Sequence, residues 1–264
     1  PLDDFLQLWA RLEDNEFGDL DSHQKELGTR RERRLDQWIT GYSARWLDES
    51  WRIAGDYLAN EYLLPGASLS RRDRWAGSIV DPSAGFSQLY QVEVAGKDFG
   101  SDVDLVRLTA HLRLVYTPWV DHRLVGRLEL GAALISDEDR TSLAPSLNFF
   151  AGGSQSLRGY AYQSLGNEVT VTGDDGEPRT LVVGGDRLVT STLEYQYYLN
   201  QNWRAAVFVD AGDAFDDGEF EANIGAGFGI HFLTAVGAVR VEMANSVSDD
   251  NPSWRLHLNI GAEF

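Results

Sequence analysis

The sequence predicts an all-β fold: a transmembrane antiparallel β-barrel, with about twelve strands in the chain as given. Three observations predict it. Apolar residues recur with a period of two over long segments, whereas strands of soluble sandwiches run about 5–6 residues. The alternate positions carry charge, so one face is greasy and the other wet, as lipid outside and an aqueous lumen inside require. The segments are joined by short turns alternating with long loops. No run approaches the roughly 20 apolar residues of a membrane helix. Backbone groups in lipid must pair within the structure, so spanning strands imply a closed barrel.

Composition narrows the function classes. The formal net charge is -18, which argues against nucleic-acid binding, because neutralising phosphates needs an excess of Lys and Arg. Solubility or a salty habitat accounts for such a charge. Cysteine is absent, so neither a disulfide framework nor a thiolate metal site can form. The chain starts at Pro1 with no initiator Met, basic n-region or apolar h-region. No signal peptide is readable there, and the start is expected to be a truncation point.

From the N-terminus, Leu6, Leu8, Ala10 and Leu12 share a parity and predict a strand over 4–13. Asp14 to Asp21 is acidic and reads as a solvated loop. Residues 22–35 carry five cations and alternate poorly, fitting a strand or equally a solvated turn. Trp38, Thr40, Tyr42, Ala44 and Trp46 restore the period of two. A loop is expected over about 47–59 and a strand near 60–72. Asp81-Pro82-Ser83-Ala84-Gly85 is turn chemistry, after which Phe86, Tyr90, Val92 and Val94 open the next strand.

The middle of the chain is the clearest. Val106, Leu108, Ala110, Leu112 and Leu114 alternate with Arg107, Thr109, His111 and Arg113. After a short turn at Thr117 to Asp121, Leu124, Leu128, Leu130, Ala132 and Leu134 alternate with Arg123, Arg127 and Glu129. A long loop follows over about 136–186. Then Val189, Leu193, Tyr195 and Tyr197 oppose Thr190, Thr192, Glu194 and Gln196. Asn200 to Asn202 makes a tight turn. Beyond it Trp203, Ala205, Val207 and Val209 face away from Arg204, Phe208 and Asp210. Residues 222–233 put Ile224, Ala226, Phe228 and Ile230 outward. That leaves Gly225, Gly227 and Gly229 inward, with room for something to pack closely on that wall. Val239, Val241 and Met243 follow. The last strand alternates Trp254, Leu256, Leu258, Ile260, Ala262 and Phe264 with Arg255, His257, Asn259, Gly261 and Glu263. Trp38, Trp46, Trp203 and Trp254 fit aromatic girdles at strand ends.

One stretch organises the chain: Phe149-Phe150-Ala151-Gly152-Gly153-Ser154-Gln155-Ser156-Leu157-Arg158-Gly159-Tyr160-Ala161-Tyr162-Gln163-Ser164-Leu165-Gly166. Its glycines permit backbone angles closed to other residues, so the loop can fold back and carry its single cation, Arg158, to a distant place. The full pattern resembles the signature of the sixth extracellular loop in the BamA-like outer-membrane assembly superfamily. Its wording is most similar to the TamA branch, the outer-membrane subunit of the translocation and assembly module. The Asp-Pro-x-x-Gly at Asp81 is similar to a periplasmic turn of the superfamily.

The resemblance implies a functional loop motif in Gly152, Gly153, Ser156, Arg158, Gly159 and Tyr160. It implies that Arg158 reaches into the lumen and pairs with Asp210, within Phe208-Val209-Asp210-Ala211-Gly212, and with Glu194. Parity independently places both carboxylates on the lumen face; the bland alternative is that they are plain polar wall residues. It implies a sixteen-strand barrel with the loop between the eleventh and twelfth strands. Residues 1–264 would then be its C-terminal part, with roughly four strands and the periplasmic polypeptide-transport-associated (POTRA) domains lying upstream. Leu256 to Phe264 resembles the terminal recognition signal of outer-membrane barrels, with Leu256, Leu258, Ile260, Gly261 and Phe264 as signal and seam. An unpaired edge can template an incoming strand, and Gly261 would weaken pairing. Thr234-Ala235-Val236-Gly237-Ala238-Val239 sits where relatives often carry Ser-Pro-x-Gly-Pro, of which only the glycine is kept.

The function implied is assembly or translocation of autotransporters and other β-barrel clients in the bacterial outer membrane. Outer-membrane lipid, client polypeptides and an inner-membrane-anchored TamB-like protein would be the partners; no cofactor, metal or nucleic acid is implied. The alternatives are a general insertase, a two-partner-secretion transporter and, from another class, a passive porin. Enzyme readings find no support. His23, His111, His122, His231 and His257 are scattered without an H-E-x-x-H, and no G-x-S-x-G elbow occurs. Gly225-Ala226-Gly227-Phe228-Gly229 lacks the strand–turn–helix setting of a nucleotide loop. Asp216, Asp217 and Glu219 read as a solvated acidic loop, with calcium binding as the alternative.

Overall fold

The fold was obtained as a computed structural model, which describes residues 4–53, 55–77, 81–172, 177–216, 218 and 220–261. Seven strands precede the long loop: β1 (Asp4–Phe17), β2 (Leu20–Leu35), β3 (Trp38–Ile53), β4 (Asp56–Gly77), β5 (Pro82–Ala95), β6 (Leu105–Trp119) and β7 (His122–Ile135). The loop holds a turn of α-helix, α1 (Asp137–Arg140), a 3₁₀ turn (Pro145–Leu147) and a small hairpin, β8 (Glu168–Thr172) and β9 (Pro178–Val182). Five strands follow: β10 (Arg187–Tyr198), β11 (Trp203–Phe215), β12 (Asn223–Thr234), β13 (Gly237–Ser246) and β14 (Trp254–Gly261).

Twelve of these strands form one antiparallel sheet, in the order β1-β2-β3-β4-β5-β6-β7-β10-β11-β12-β13-β14. The predicted strand number and the division around the loop are those observed. Closure is not. A closed barrel needs a ladder between β1 and β14, and among the described residues each has a single sheet neighbour.

The two faces of the sheet differ in chemistry along the expected parity. Leu6, Leu8, Leu69, Leu114, Leu130, Leu193, Val207, Phe228 and Leu258 stand exposed on the outer face. Arg123, Glu194, Gln196, Arg204, Asp210 and Glu242 are buried on the inner one. Water-exposed leucines on this scale are a liability for a soluble protein and the expected wall of one that faces lipid.

The first half corrects several sequence expectations. Residues 14–21 are not a loop: β1 and β2 extend through them and meet at a two-residue turn, Gly18-Asp19, where Phe17 faces Leu20. Residues 47–59 are not a loop either, since β3 and β4 pair as far as Ile53 and Asp56. Residues 22–35 are strand, the first of the two readings that their sequence allows. Trp46 consequently sits in the middle of β3 rather than at a girdle. Of the turn expected at 81–85, Pro82 to Gly85 already belong to β5, and Pro82 faces Gly77 at the end of β4.

The turns on the rim opposite the long loop are tight. Asp36 and Asp121 take φ of 58° and 66° in the β2–β3 and β6–β7 turns, the left-handed region that Asp tolerates better than bulkier residues. At the β12–β13 turn the Thr234 hydroxyl donates to the Gly237 carbonyl at 2.6 Å. That bond closes the turn without the prolines of the related pattern.

Candidate functional site: a loop arginine buried in the sheet wall

The long loop reaches its position in two stages. Its first part is an apolar plug. Leu143, Ala144, Leu147 and Phe149 pack with Leu20, Leu47, Trp51, Tyr62, Leu64 and Leu105 on the inner wall. Polar contacts fix the register of that plug. The Tyr62 hydroxyl donates to the Ser142 carbonyl at 3.2 Å and accepts from the Ala144 amide at 2.9 Å. Glu49 accepts from Ser22 at 2.7 Å and from the Ser146 amide at 3.2 Å. The Arg107 guanidinium donates to the Leu147 carbonyl at 3.1 Å and lies 4.6 Å over the Phe149 ring. One loop thus touches β3, β4 and β6 here and β10 to β14 further on, which only a wall wrapped around it allows.

The second stage is a glycine reversal. Gly152 and Gly153 take φ of 104° and 96°, where a side chain would be strained. A Cβ on Gly152 would also strike the Ala161 carbonyl. The turn is closed by the Ser156 amide donating to the Gly153 carbonyl at 3.3 Å and the Gly153 amide donating to Leu157 at 3.2 Å. Leu157 is fully buried beyond it, and Arg158 follows into the wall.

Arg158 is 2% exposed and faces three carboxylates. Nε donates to Asp210 at 2.7 Å and Nη2 to the other Asp210 oxygen at 2.9 Å, the bidentate fork that guanidinium and carboxylate form. Nη1 donates to Glu194 at 2.8 Å and to Glu242 at 3.0 Å. The Arg158 amide adds a bond to Asp210 at 3.0 Å. Phe208 lies beneath, its ring centroid 3.3 Å from the guanidinium carbon. Burial alone would lower the Arg158 pKa; the Asp210 hydrogen bond and the charges of Asp210, Glu194 and Glu242 outweigh it and raise the pKa. The cation is therefore permanent.

The flanking residues bind neighbouring strands. The Gly159 amide donates to Nε2 of His257 on β14 at 3.1 Å. Tyr160 is buried, with its hydroxyl 2.9 Å from that of Ser248 in the β13–β14 connection. Gly159 takes a φ of 98°, and a Cβ there would meet the backbone of Asn245 at 2.8 Å. Three consecutive residues thereby engage every strand from β10 to β14.

This geometry sits within a family that can be named. Residues 62–264 match the model of the Omp85 superfamily domain, which is most of the chain and contains the whole site. The chain belongs to the Omp85 superfamily. Its fold is also that of two solved relatives. The first is BamA from Haemophilus ducreyi lacking POTRA domains 1–3, with a TM-score of 0.75 at 15% identity over 92% of this chain and 55% of that one. The second is CdiB from Acinetobacter baumannii, with a TM-score of 0.56 at 13% identity over 91% of this chain and 42% of that one. The chain spans about half the length of these structures. Membership makes it a bacterial outer-membrane barrel protein.

Within this Omp85 wall the sequence-derived site residues fall as follows. Gly152, Gly153, Arg158, Gly159 and Tyr160 converge with Asp210 and Glu194. Ser156 contributes its backbone; its hydroxyl is buried without a partner among the described residues. Leu256, Leu258 and Ile260 line the exposed face of β14, whose last described residue, Gly261, pairs with Ala238. Phe264 lies outside the described residues. Sequence reasoning missed Glu242, His231 and His257. Nε2 of His231 stands 2.9 Å from Glu242. All three lie on the wet parity of their strands, a signal too general to pick them out.

Glu194, His231 and Glu242 bring potential ligand atoms within 4.8 Å of one another. The Arg158 guanidinium already bonds both carboxylates, so the cluster is matched to that cation. Asp216 accepts from the Asp186 amide at 3.0 Å and pairs with Arg140. It ties the loop to β11 instead of standing free as a calcium ligand; Asp217 and Glu219 lie outside the described residues.

Proposed function

We propose that the chain is the barrel portion of an outer-membrane assembly factor of the TamA type, which inserts or secretes autotransporters and other β-barrel proteins. One observation carries the reading: the loop arginine is locked into β10, β11 and β13 of the inner wall. A firmly held inner wall suits a barrel whose last strand can offer backbone hydrogen bonds to an incoming client strand. Clients would add to β14 by strand pairing, with Leu256, Leu258, Ile260, Gly261 and Phe264 as the seam. The work is conformational and involves no covalent chemistry or cofactor. POTRA domains upstream and an inner-membrane-anchored TamB-like protein complete the proposal.

Deleting the full-length gene tests it. A viable strain in which surface display of an autotransporter is lost or slowed supports the TamA-type reading. An inviable strain in which all barrels fail points to a general insertase. Normal display in a healthy strain removes the proposal and favours a dedicated two-partner-secretion transporter. A passive porin predicts steady conductance indifferent to Arg158.

A further inference from the structure

We propose that His257 is a positioning residue that couples the folded-back loop to strand β14, and that it does so only as a neutral imidazole. Among the described residues, β14 is held by its ladder to β13 and by a single hydrogen bond from the loop motif, Gly159 N–H to His257 Nε2 at 3.1 Å. The loop grips β10, β11 and β13 through Arg158. Among the described residues its hydrogen bond to β14 runs through this one nitrogen.

Burial supports the same coupling. His257 is 8% exposed, whereas Arg255, two residues before it on the same face, is exposed. The loop covers β14 at His257 and leaves that earlier position open.

The chemistry of the contact sets its condition. An imidazole nitrogen that accepts a hydrogen bond carries a lone pair, so the proton sits on Nδ1. Protonating Nε2 would oppose its N–H to the Gly159 N–H. The charged groups around it are Glu242, directly across on β13, Arg158 from the loop, Asp210 from β11 and Arg255 on β14 itself. Glu242 is already engaged by Arg158 and by His231 at 2.9 Å, and a charged His257 would stand beside the Arg158 cation. Docking at this contact and protonation of Nε2 therefore exclude each other. By linkage, acid favours release of the loop from β14.

The inference draws on the seam reading only for its functional meaning. Its test reads structure alone and is independent of client assembly.

The test is amide hydrogen exchange of peptides covering 149–166 and 254–261, on the full-length protein in lipid nanodiscs across the titration range of histidine. Rates are corrected for intrinsic exchange. For the wild type, protection of both segments should fall by about tenfold as pH drops, the factor that one hydrogen bond of ordinary net strength makes. His257→Gln keeps an acceptor that does not titrate, and should stay protected at every pH. His257→Leu should exchange fast throughout. If His257→Leu does not fold, the wild type against His257→Gln decides. A His257→Gln profile that still tracks pH like the wild type overturns the proposal, and so does a wild type whose two segments ignore pH.

Discussion

The carbonyl oxygen of Arg158 occupies the space where a Cβ on Gly225 would stand. The wall glycine and the loop arginine are thus fitted to each other through backbone, quite apart from the ion pairs. Gly225 lies in ordinary extended strand, so a substitution there keeps the strand and strains only the docking. Gly225→Ala is expected to push the loop off β12 at a cost of about 1–3 kcal/mol, as overpacking a close contact does. Faster hydrogen exchange over 149–166 with β12 itself unchanged is the expected signature. Unaltered exchange in both would mean that the contact is slack.

Arg158 satisfies three buried carboxylates at once, so its loss leaves charges without a counter-ion. Arg158→Ala should destabilise the barrel by about 3–5 kcal/mol, the cost of stripping one partner from a buried ion pair. Arg158→Lys should recover little, because an ammonium cannot form the Asp210 fork, reach Glu194 and Glu242 together and stack on Phe208. Heat-modifiability of the folded barrel on gels reads both variants. A lysine variant as heat-resistant as the wild type would show that charge alone, without planar geometry, holds the loop.

How much of this was legible in the sequence depends on height along the strands. From β6 onward the outer face meets lipid, so Leu against Arg alternation marks each strand and places Glu194 and Asp210 on the wet side. Around Leu47, Glu49 and Trp51 the chemistry inverts. There the inner face is covered by the plug and turns apolar, while Asp48 faces out and pairs with Lys25. A parity that flips in mid-strand reads as a loop. The convergence of Glu242, His231 and His257 on Arg158 depends on the curl of the sheet and the path of the loop, and neither is written in local periodicity.

The plug has its own test in Tyr62, whose hydroxyl both donates and accepts between Ser142 and Ala144. Tyr62→Phe keeps the ring in its apolar pocket and removes those two bonds together with a long one accepted from Asn60 at 3.5 Å. Leaving the Ala144 amide buried without a partner should cost about 1–3 kcal/mol. Protease should then cut near 141–146 sooner than in the wild type, while 149–166 stays docked on its own arginine. Simultaneous release of both segments would show that plug and arginine act as one unit.

Lys97 and Asp139 join the β5–β6 connection to the start of the long loop at 2.8 Å. The hydrogen bond with Lys97 holds the Asp139 carboxyl below its ordinary 3.8, and the same bond raises Lys97 above its ordinary 10.5. The depressed acid contributes stability above its unfolded value and loses it as pH falls through the folded one. The raised base contributes below its unfolded value and loses that as pH rises through the folded one. Lys97→Ala should therefore lower Tm slightly near neutrality and not at all in strong acid. Lys97 is exposed and Asp139 half-buried, so salt should weaken the difference.

Leu128 lies midway along β7, on the outer face, next to lumen-facing Arg127. A cation at the bilayer midplane has no water and no counter-ion, and Leu128→Arg should cost about 2–4 kcal/mol. The same change at Leu134, near the rim of that strand, should cost about 0–1 kcal/mol, because the side chain can reach the interface. Reversible unfolding from lipid vesicles measures both. Depth is the deciding variable: a soluble sheet would penalise the two substitutions alike, and equal penalties would remove the lipid from the account of this face.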